Sequence, residues 1–298
     1  MFEIPSQTQK KNNPEGKTTV GRRPQWLKVK APGGEQYSDI KKMMRSKSLH
    51  TVCEEARCPN IGECWSAGTA TFMILGDTCT RSCAFCAIKT GRPNHVNENE
   101  PYDVAASIKR MGLRHAVVTS VNRDELKDQG SEIWAETIRQ IKKVNPGTTV
   151  EVLIPDFKGD LDLLQVVLDA KPDILNHNIE TVPRLYKRIR PQAKYQRSLD
   201  VLEYAQKQGF RSKTGIMVGI GETDEEIIEV MKDLVEIDLQ VFTIGQYLQP
   251  TVNHAPVERF PHPDQFREWK RIGEEMGIDH VESGPLVRSS YHAEQHVK

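Results

Sequence analysis

From residue 71 onward the chain alternates between two hydrophobic rhythms. Short runs of apolar and β-branched residues at 71–76, 115–120, 148–154, 173–179, 212–218 and 241–246 have the length and composition of strands. Between and after them, at 102–111, 131–144, 161–170, 196–208, 224–237 and 263–276, apolar residues recur three and four apart, the period of a helix with one buried face. Six repeats of strand then helix predict a parallel sheet with helices outside it. The expected fold is therefore α/β, a partial (β/α)6 TIM-like barrel, short of the eight units that close a full one. A barrel left open has a lateral gap for a bulky substrate. In such folds ligand-handling side chains gather where strands end, so the loops after each strand are the places to look for chemistry.

Before residue 71 the rhythm is missing. Residues 1–50 are rich in Lys, Pro, Gly and Gln, with no sustained periodicity until about Tyr37, which predicts a loosely ordered arm and then a short helix. The organisation expected is an N-terminal cysteine-rich extension over 1–70, a barrel over 71–278 and a C-terminal capping segment over 279–298. The whole chain balances 41 Lys and Arg against 41 Asp and Glu, yet residues 1–50 hold 11 basic and 4 acidic residues. This basic arm, with Lys28, Lys30, Lys41, Lys42, Arg45 and Lys47, can steer an acidic protein partner or simply be solvated. It lacks the interleaved aromatics of a nucleic-acid-binding segment. No apolar run approaches the roughly 18 residues of a membrane span. The opening MFEIPSQTQKKNNPEG has neither an apolar signal core nor the pattern of a transit helix, so a cytoplasmic location is expected.

All six cysteines fall between Cys53 and Cys86. A chain of this length can bury a core without disulfides, and a reducing compartment keeps thiols free, so their clustering points to metal or redox chemistry. Cys79, Cys83 and Cys86 lie in GDTCTRSCAFC, directly after the first strand, spaced C-x3-C-x2-C with Phe85 before the last. Three thiolates hold three irons of a 4Fe-4S cluster and leave the fourth iron open to a ligand. A structural zinc normally takes four ligands from paired cysteines, which one tight loop does not supply. Cys53, Cys58 and Cys64 form a second triad, C-x4-C-x5-C, in TVCEEARCPNIGECW. By spacing alone this triad leaves open a zinc knuckle completed by a histidine such as His50.

The first of these motifs, at the end of the first strand of a βα barrel, resembles the signature of the radical S-adenosylmethionine (SAM) superfamily. The wider run LHTVCEEARCPNIGECWSAGTATFMILGDTCTRSCAFC resembles the lipoyl synthase family. So do WLKVKAP, TSVNRDEL, NHNIET, MVGIGET, QYLQPT and GPLVRSSYHA, and together these cover nearly all of residues 24–293. The resemblance implies two 4Fe-4S clusters. One, on Cys79, Cys83 and Cys86, binds SAM as cosubstrate and breaks it to a 5′-deoxyadenosyl radical. The other, an auxiliary cluster on Cys53, Cys58 and Cys64, takes its fourth ligand from the RSSY motif, here Arg288, Ser289, Ser290 and Tyr291. The first serine, Ser289, is the expected ligand, and a hydroxyl on an iron that prefers thiolate makes a labile bond.

The implied reaction inserts sulfur from the auxiliary cluster at C6 and C8 of an octanoyl chain carried on a lysine of a lipoyl carrier domain. The implied partners are octanoylated 2-oxoacid dehydrogenase E2 subunits and glycine cleavage H protein. A reductant such as ferredoxin or flavodoxin and an iron-sulfur cluster carrier complete the set. Unactivated carbons yield no hydrogen to an ordinary acid or base, so a cofactor does the chemistry while the protein orients and shields. Further SAM contacts are expected at Phe85, Ser120, Asn122, Asn176, Glu180, Arg190, Gly219 and Gly221. By composition alone most of these are equally turn or helix-capping residues, and Arg190 is equally an exposed helix-end residue. Two other readings remain at this point: a biotin-synthase-like sulfur inserter sharing only the SAM triad, and a zinc-knuckle binding module on a catalytically silent barrel.

Overall fold

The computed structural model describes residues 22–29, 50–51, 58, 60–62 and 71–297. The expected helix after Tyr37, the lysines of the basic arm other than Lys28, and Cys53 and Cys64 lie outside the described residues.

A two-residue strand, β1 (His50–Thr51), pairs antiparallel with β2 (Thr71–Ile74) at one edge of the main sheet. In the loop after β2 a separate small pair forms between β3 (Thr78–Cys79) and β4 (Lys89–Thr90). The main sheet continues in parallel through β5 (His115–Ser120), β6 (Thr149–Leu153), β7 (Ile174–Asn176), β8 (Arg211–Val218), β9 (Val241–Gln246) and β10 (His280–Gly284). Its order is β1-β2-β5-β6-β7-β8-β9-β10, so seven neighbouring strands run parallel. Each of β2 and β9 is buried along its whole length, as expected of parallel strands covered on both faces.

The crossovers carry helices α1 (Glu100–Met111), α2 (Ser131–Val144), α3 (Leu161–Asp169), α4 (Tyr186–Ile189), α5 (Tyr195–Lys207), α6 (Asp224–Glu236) and α7 (Pro263–Glu275). Local chemistry sets their ends. Pro101 opens α1 and Gly112, left-handed at φ 63°, closes it. Thr223 and Glu226 form a reciprocal capping box at the start of α6. The helices bury their apolar faces in two clusters, one gathering Phe72, Val118, Trp134 and Val152, the other Val218, Phe242, Phe266 and Trp269. The molecule is thus an α/β partial barrel, as the sequence pattern predicts.

Beyond the short β1, β3, β4 and α4, which the pattern did not predict, the main difference from expectation lies at the C-terminal end. The segment expected as a cap begins with a seventh parallel strand, β10, in register with β9 from His280 opposite Val241 to Gly284 opposite Gly245. Its sequence, HVESG, alternates half-buried polar residues with the buried Val281 and so lacks an apolar run. The chain then turns back, and a short 3-10 turn at Ala293–Val297 buries Ala293 and His296.

Candidate active site

Two successive left-handed residues, Leu75 at φ 68° and Gly76 at φ 94°, turn the chain out of β2. Leucine adopts this conformation only when its surroundings enforce it. Here the Leu75 N–H donates to Glu100 Oε2 at 2.6 Å and its carbonyl accepts from Arg123 Nη1 at 3.0 Å. The next segment, residues 79–88, is a loop closed at its base by β3 and β4, with Gly91 N donating to Cys79 O at 3.0 Å. All three cysteines of the C-x3-C-x2-C motif sit on it, half-buried and unpaired as disulfides.

The loop is clamped on three sides. Arg81, between the first two cysteines, donates to Asp124 Oδ2 at 2.7 Å and Asp156 Oδ1 at 2.6 Å. Asp156 also receives Arg197 at 3.1 Å and Lys158 N at 3.1 Å. Burial works against the Asp156 charge, but the Arg81 bonds hold the carboxyl well below its usual range. At the crown of the loop Ala84 N donates to Ile189 O at 2.9 Å, and Ala84 O accepts from Ala255 N at 2.8 Å. His254 Nε2 meets Cys86 O at 2.9 Å.

The sulfur environment suits a metal cluster. Cys79 Sγ accepts from Arg81 N at 3.4 Å, Asn122 N at 3.3 Å and Asn122 Nδ2 at 3.8 Å, which fix the sulfur at the end of β3. Burial raises the Cys83 thiol, with Arg190 opposing it, and pushes Cys86 up to about 12. Such thiols stay protonated at neutral pH unless a metal compels the thiolate, so they are poor nucleophiles and sound ligands.

Around this loop the strand ends carry buried polar atoms that find no partner among the described residues: Ser120 Oγ, Asn122 Oδ1, Asn178 Oδ1 and Arg190 Nε. Buried polar groups normally find partners, so four orphans at one end of the barrel mark a place for a polar ligand. Glu180, left-handed at φ 64° and half-buried, adds a carboxyl that desolvation raises against the pull of Arg190 and a bond from Asn178 Nδ2 at 3.2 Å. Arg190 is 9% exposed, so it is no solvated helix-end residue, and its Nη1 donates to Asn178 O at 2.9 Å. Asn122, Glu180 and Arg190 therefore come together beside the cysteine loop, with Ser120 at the end of the neighbouring β5, whereas Asn176, expected with them, turns its amide to Glu151 Oε1 at 2.9 Å inside the barrel. A ligand with an amine, a carboxylate and hydroxyls fits that set. Asn178, Arg81, Asp124 and Asp156 were outside the sequence expectation, although each lies in or directly after a strand-end loop.

Gly219 and Gly221 stand differently. A Cβ on Gly219 would meet Gln246 Nε2 at 2.3 Å and Arg259 O at 2.5 Å, and one on Gly221 would meet Arg188 Nη2 at 2.7 Å. This chain's own groups fill the approach to both, and their φ of 93° and 116° gives each a turn role. Phe85 is half-buried and packs on the second core cluster.

Of the other triad, Cys58 is described and half-buried. Two residues on, Asn60 Nδ2 donates to Leu286 O at 2.7 Å, joining the cysteine segment to the chain just before RSSY. Burial lowers the Arg288 guanidinium while the nearby Cys58 raises it, so RSSY begins within reach of that thiol's charge. Ser289 and Ser290 are half-buried in the turn closed by Tyr291 N to Arg288 O at 2.9 Å.

Comparison with known proteins matches the site's two halves. Residues 3–58 fit the N-terminal domain of lipoyl synthase of the radical SAM family, and residues 73–234 fit the radical SAM superfamily. Lipoyl synthase of Rubrobacter xylanophilus is 61% identical over 275 residues, covering 92% of this chain and 86% of its own. That of Flavobacterium psychrophilum is 54% identical over 279 residues, covering 93% and 96%. The mitochondrial lipoyl synthase of Nematostella vectensis is 53% identical over 276 residues, covering 92% and 95%.

Among solved structures, Streptococcus suis SuiB bound to S-adenosylmethionine shares the fold at TM-score 0.57 and 12% identity, over 84% of this chain and 61% of that one. Methylornithine synthase does so at 0.53 and 15%, over 84% and 83%. Among the described residues no helix is long and apolar enough to cross a membrane. With identity this high over nearly the whole of each relative, and a cysteine loop built at the first strand end of the barrel, the chain belongs to the lipoyl synthase family of the radical SAM superfamily.

Proposed function

We propose that this enzyme inserts two sulfur atoms, at C6 and C8, into an octanoyl chain borne on a lysine of a carrier protein, giving the lipoyl group. When bound, a 4Fe-4S cluster supplies the electron that cleaves SAM and so the radical that can take hydrogen from an unactivated carbon. Cys79, Cys83 and Cys86 hold that cluster, with Asn122 supporting the Cys79 sulfur. Ser120, Glu180 and Arg190 bind the polar parts of SAM, which would give the orphaned atoms of Ser120 and Arg190 partners. Cys53, Cys58, Cys64 and Ser289 hold the auxiliary cluster, which is the sulfur source and is consumed. Octanoylated E2 subunits or H protein bring the substrate, ferredoxin or flavodoxin the electrons, and a cluster carrier the replacement iron and sulfide. A cytoplasmic setting, where thiols stay reduced, suits both triads.

The observation that carries this reading is the bond from Asn60 to Leu286. A barrel that only cleaves SAM has no need to tie its second cysteine segment to a serine-rich C-terminal turn. Anaerobically reconstituted protein is expected to hold about eight irons, as two clusters on six thiolates and one serine require. Incubated with SAM, a reductant and an octanoyl-lysine peptide, it should yield a product heavier by two sulfurs, read by mass spectrometry. Cys83→Ala should lose 5′-deoxyadenosine formation, whereas Cys58→Ala should keep it and lose sulfur transfer. Zinc without sulfide, or sulfur transfer retained in Cys58→Ala, would remove the reading.

A further inference from the structure

A second cluster of titratable groups lies inside the barrel, towards the ends at which strands begin. Buried Lys213 donates to Glu151 Oε1 at 2.9 Å and Oε2 at 3.1 Å, and its Nζ lies 3.0 Å from His296 Nδ1. His296 belongs to the turn at Ala293–Val297, at the far end of the segment that follows β10. Its ring stands 4.8 Å from that of His280, and His280, Glu282 and His296 bring one ligand-type atom each within 4.8 Å of one another. By composition this trio invites a cation. The Lys213 contact argues otherwise. An ammonium only donates, so His296 Nδ1 accepts and the other ring nitrogen carries the hydrogen. Such a ring has no lone pair left for a metal, and the lysine charge repels one.

What the contact does is attach the chain. The segment after β10 is also fixed at its near end, where Asn60 holds Leu286 O at 2.7 Å and Val287 N donates to Gly284 O at 3.1 Å. There Val287 O presses so closely on β9 that a Cβ on Gly245 would stand 2.2 Å from it. Between the two fixed ends, Val287 and His296, lie residues 288–295, Ser289 among them. We propose that His296 is a positioning residue: by pinning the far end of this span to the Lys213–Glu151 pair, it holds Ser289 against the second cysteine segment. A short span fixed at both ends has few conformations, whereas one freed at an end lets a weakly held ligand wander. The role assigned to Ser289 rests on the function proposed above; the pinning itself does not.

In the full-length, anaerobically reconstituted protein, His296→Ala should raise amide exchange across residues 287–297 by about ten- to a hundredfold, the span for losing a hydrogen bond to a charged group. It should also alter the Mössbauer signature of the auxiliary cluster while leaving the rate of 5′-deoxyadenosine formation unchanged. His296→Gln, whose amide oxygen can accept from Lys213, should restore both. Unaltered exchange in His296→Ala overturns the proposal, as does a glutamine variant as loose as the alanine one. Ser289→Ala, measured alongside, separates the two ideas. If its Mössbauer spectrum matches the parent's, the serine ligand fails, and the exchange data alone decide whether His296 pins the segment.

Discussion

Asp156 concentrates much of what the cysteine loop demands of the protein. It is fully buried, yet it takes two guanidinium groups and a backbone N–H, and through Arg81 it fixes the loop that carries Cys79 and Cys83. Replacing it by alanine leaves Arg81 buried with half its partners. Asp156→Ala is expected to cost roughly 3–5 kcal/mol in chemical denaturation, the range for breaking a buried ion pair from one side. Iron retained after reconstitution should fall with it, and a variant of parental stability would mean that the clamp carries no load. None of this was legible in the sequence, because Arg81 and Asp156 are 75 residues apart and each looks like an ordinary loop residue. The cysteines were legible for the opposite reason: their chemistry depends on short spacings within one loop. Arg190 shows a third case, since position alone left it equally a surface residue and only its burial decides the matter.

The six strands and six helices expected between residues 71 and 276 were readable because each buries a continuous run or a stripe of apolar side chains, whereas β3, β4 and α4, two to four residues long, are too short to show a period. β10 escaped because its inward positions are His280 and Glu282, which serve the polar cluster inside the barrel. Its neighbours had to be seen before its pairing made sense. The termini of these elements carry their own energetics. The Thr223 side chain accepts from Glu226 N at 3.3 Å while Glu226 Oε2 accepts from Thr223 N at 2.9 Å. Thr223→Ala should lower stability by about 1 kcal/mol, and because the cap lies outside the cysteine loop, SAM cleavage per folded molecule should not change. Gly245→Ala should behave otherwise. Its new methyl would meet the Val287 carbonyl, so the variant is expected to loosen the C-terminal segment, seen as faster proteolysis there with β9 still protected from exchange.

The whole molecule meets acid with several buried groups whose preferences agree. Burial and the Arg190 charge push His177 down to about 4 from its ordinary 6.5. The unfolded chain takes up that proton below pH 6.5 and the folded one does not, so stability falls as pH drops from about 6.5 to about 4, by roughly 3 kcal/mol for this group. Burial alone would raise Glu151, but Lys213 draws it down to about 2 from 4.5. Its contribution is present above about pH 4.5 and is lost as pH falls through about 2. Thermal melting followed across this range should show a decline beginning near pH 6.5. His177→Gln should be less stable at neutral pH but flatter in that first window, and an unchanged slope would assign the decline to other groups.

The bond between Asn60 and Leu286 joins residues 226 apart in the chain. A growing polypeptide folds from its N-terminal end, and contacts between distant residues form last because their loops are costly to close. During synthesis the cysteines of the barrel loop emerge with nearly all of the strands still to come, whereas the partner of Asn60 emerges only after the last strand. Closure of the second cysteine segment against the C-terminal turn is thereby placed after translation of the barrel. A ribosome stalled before residue 286 would present a nascent chain with the second cysteine segment already made and nothing to close over it.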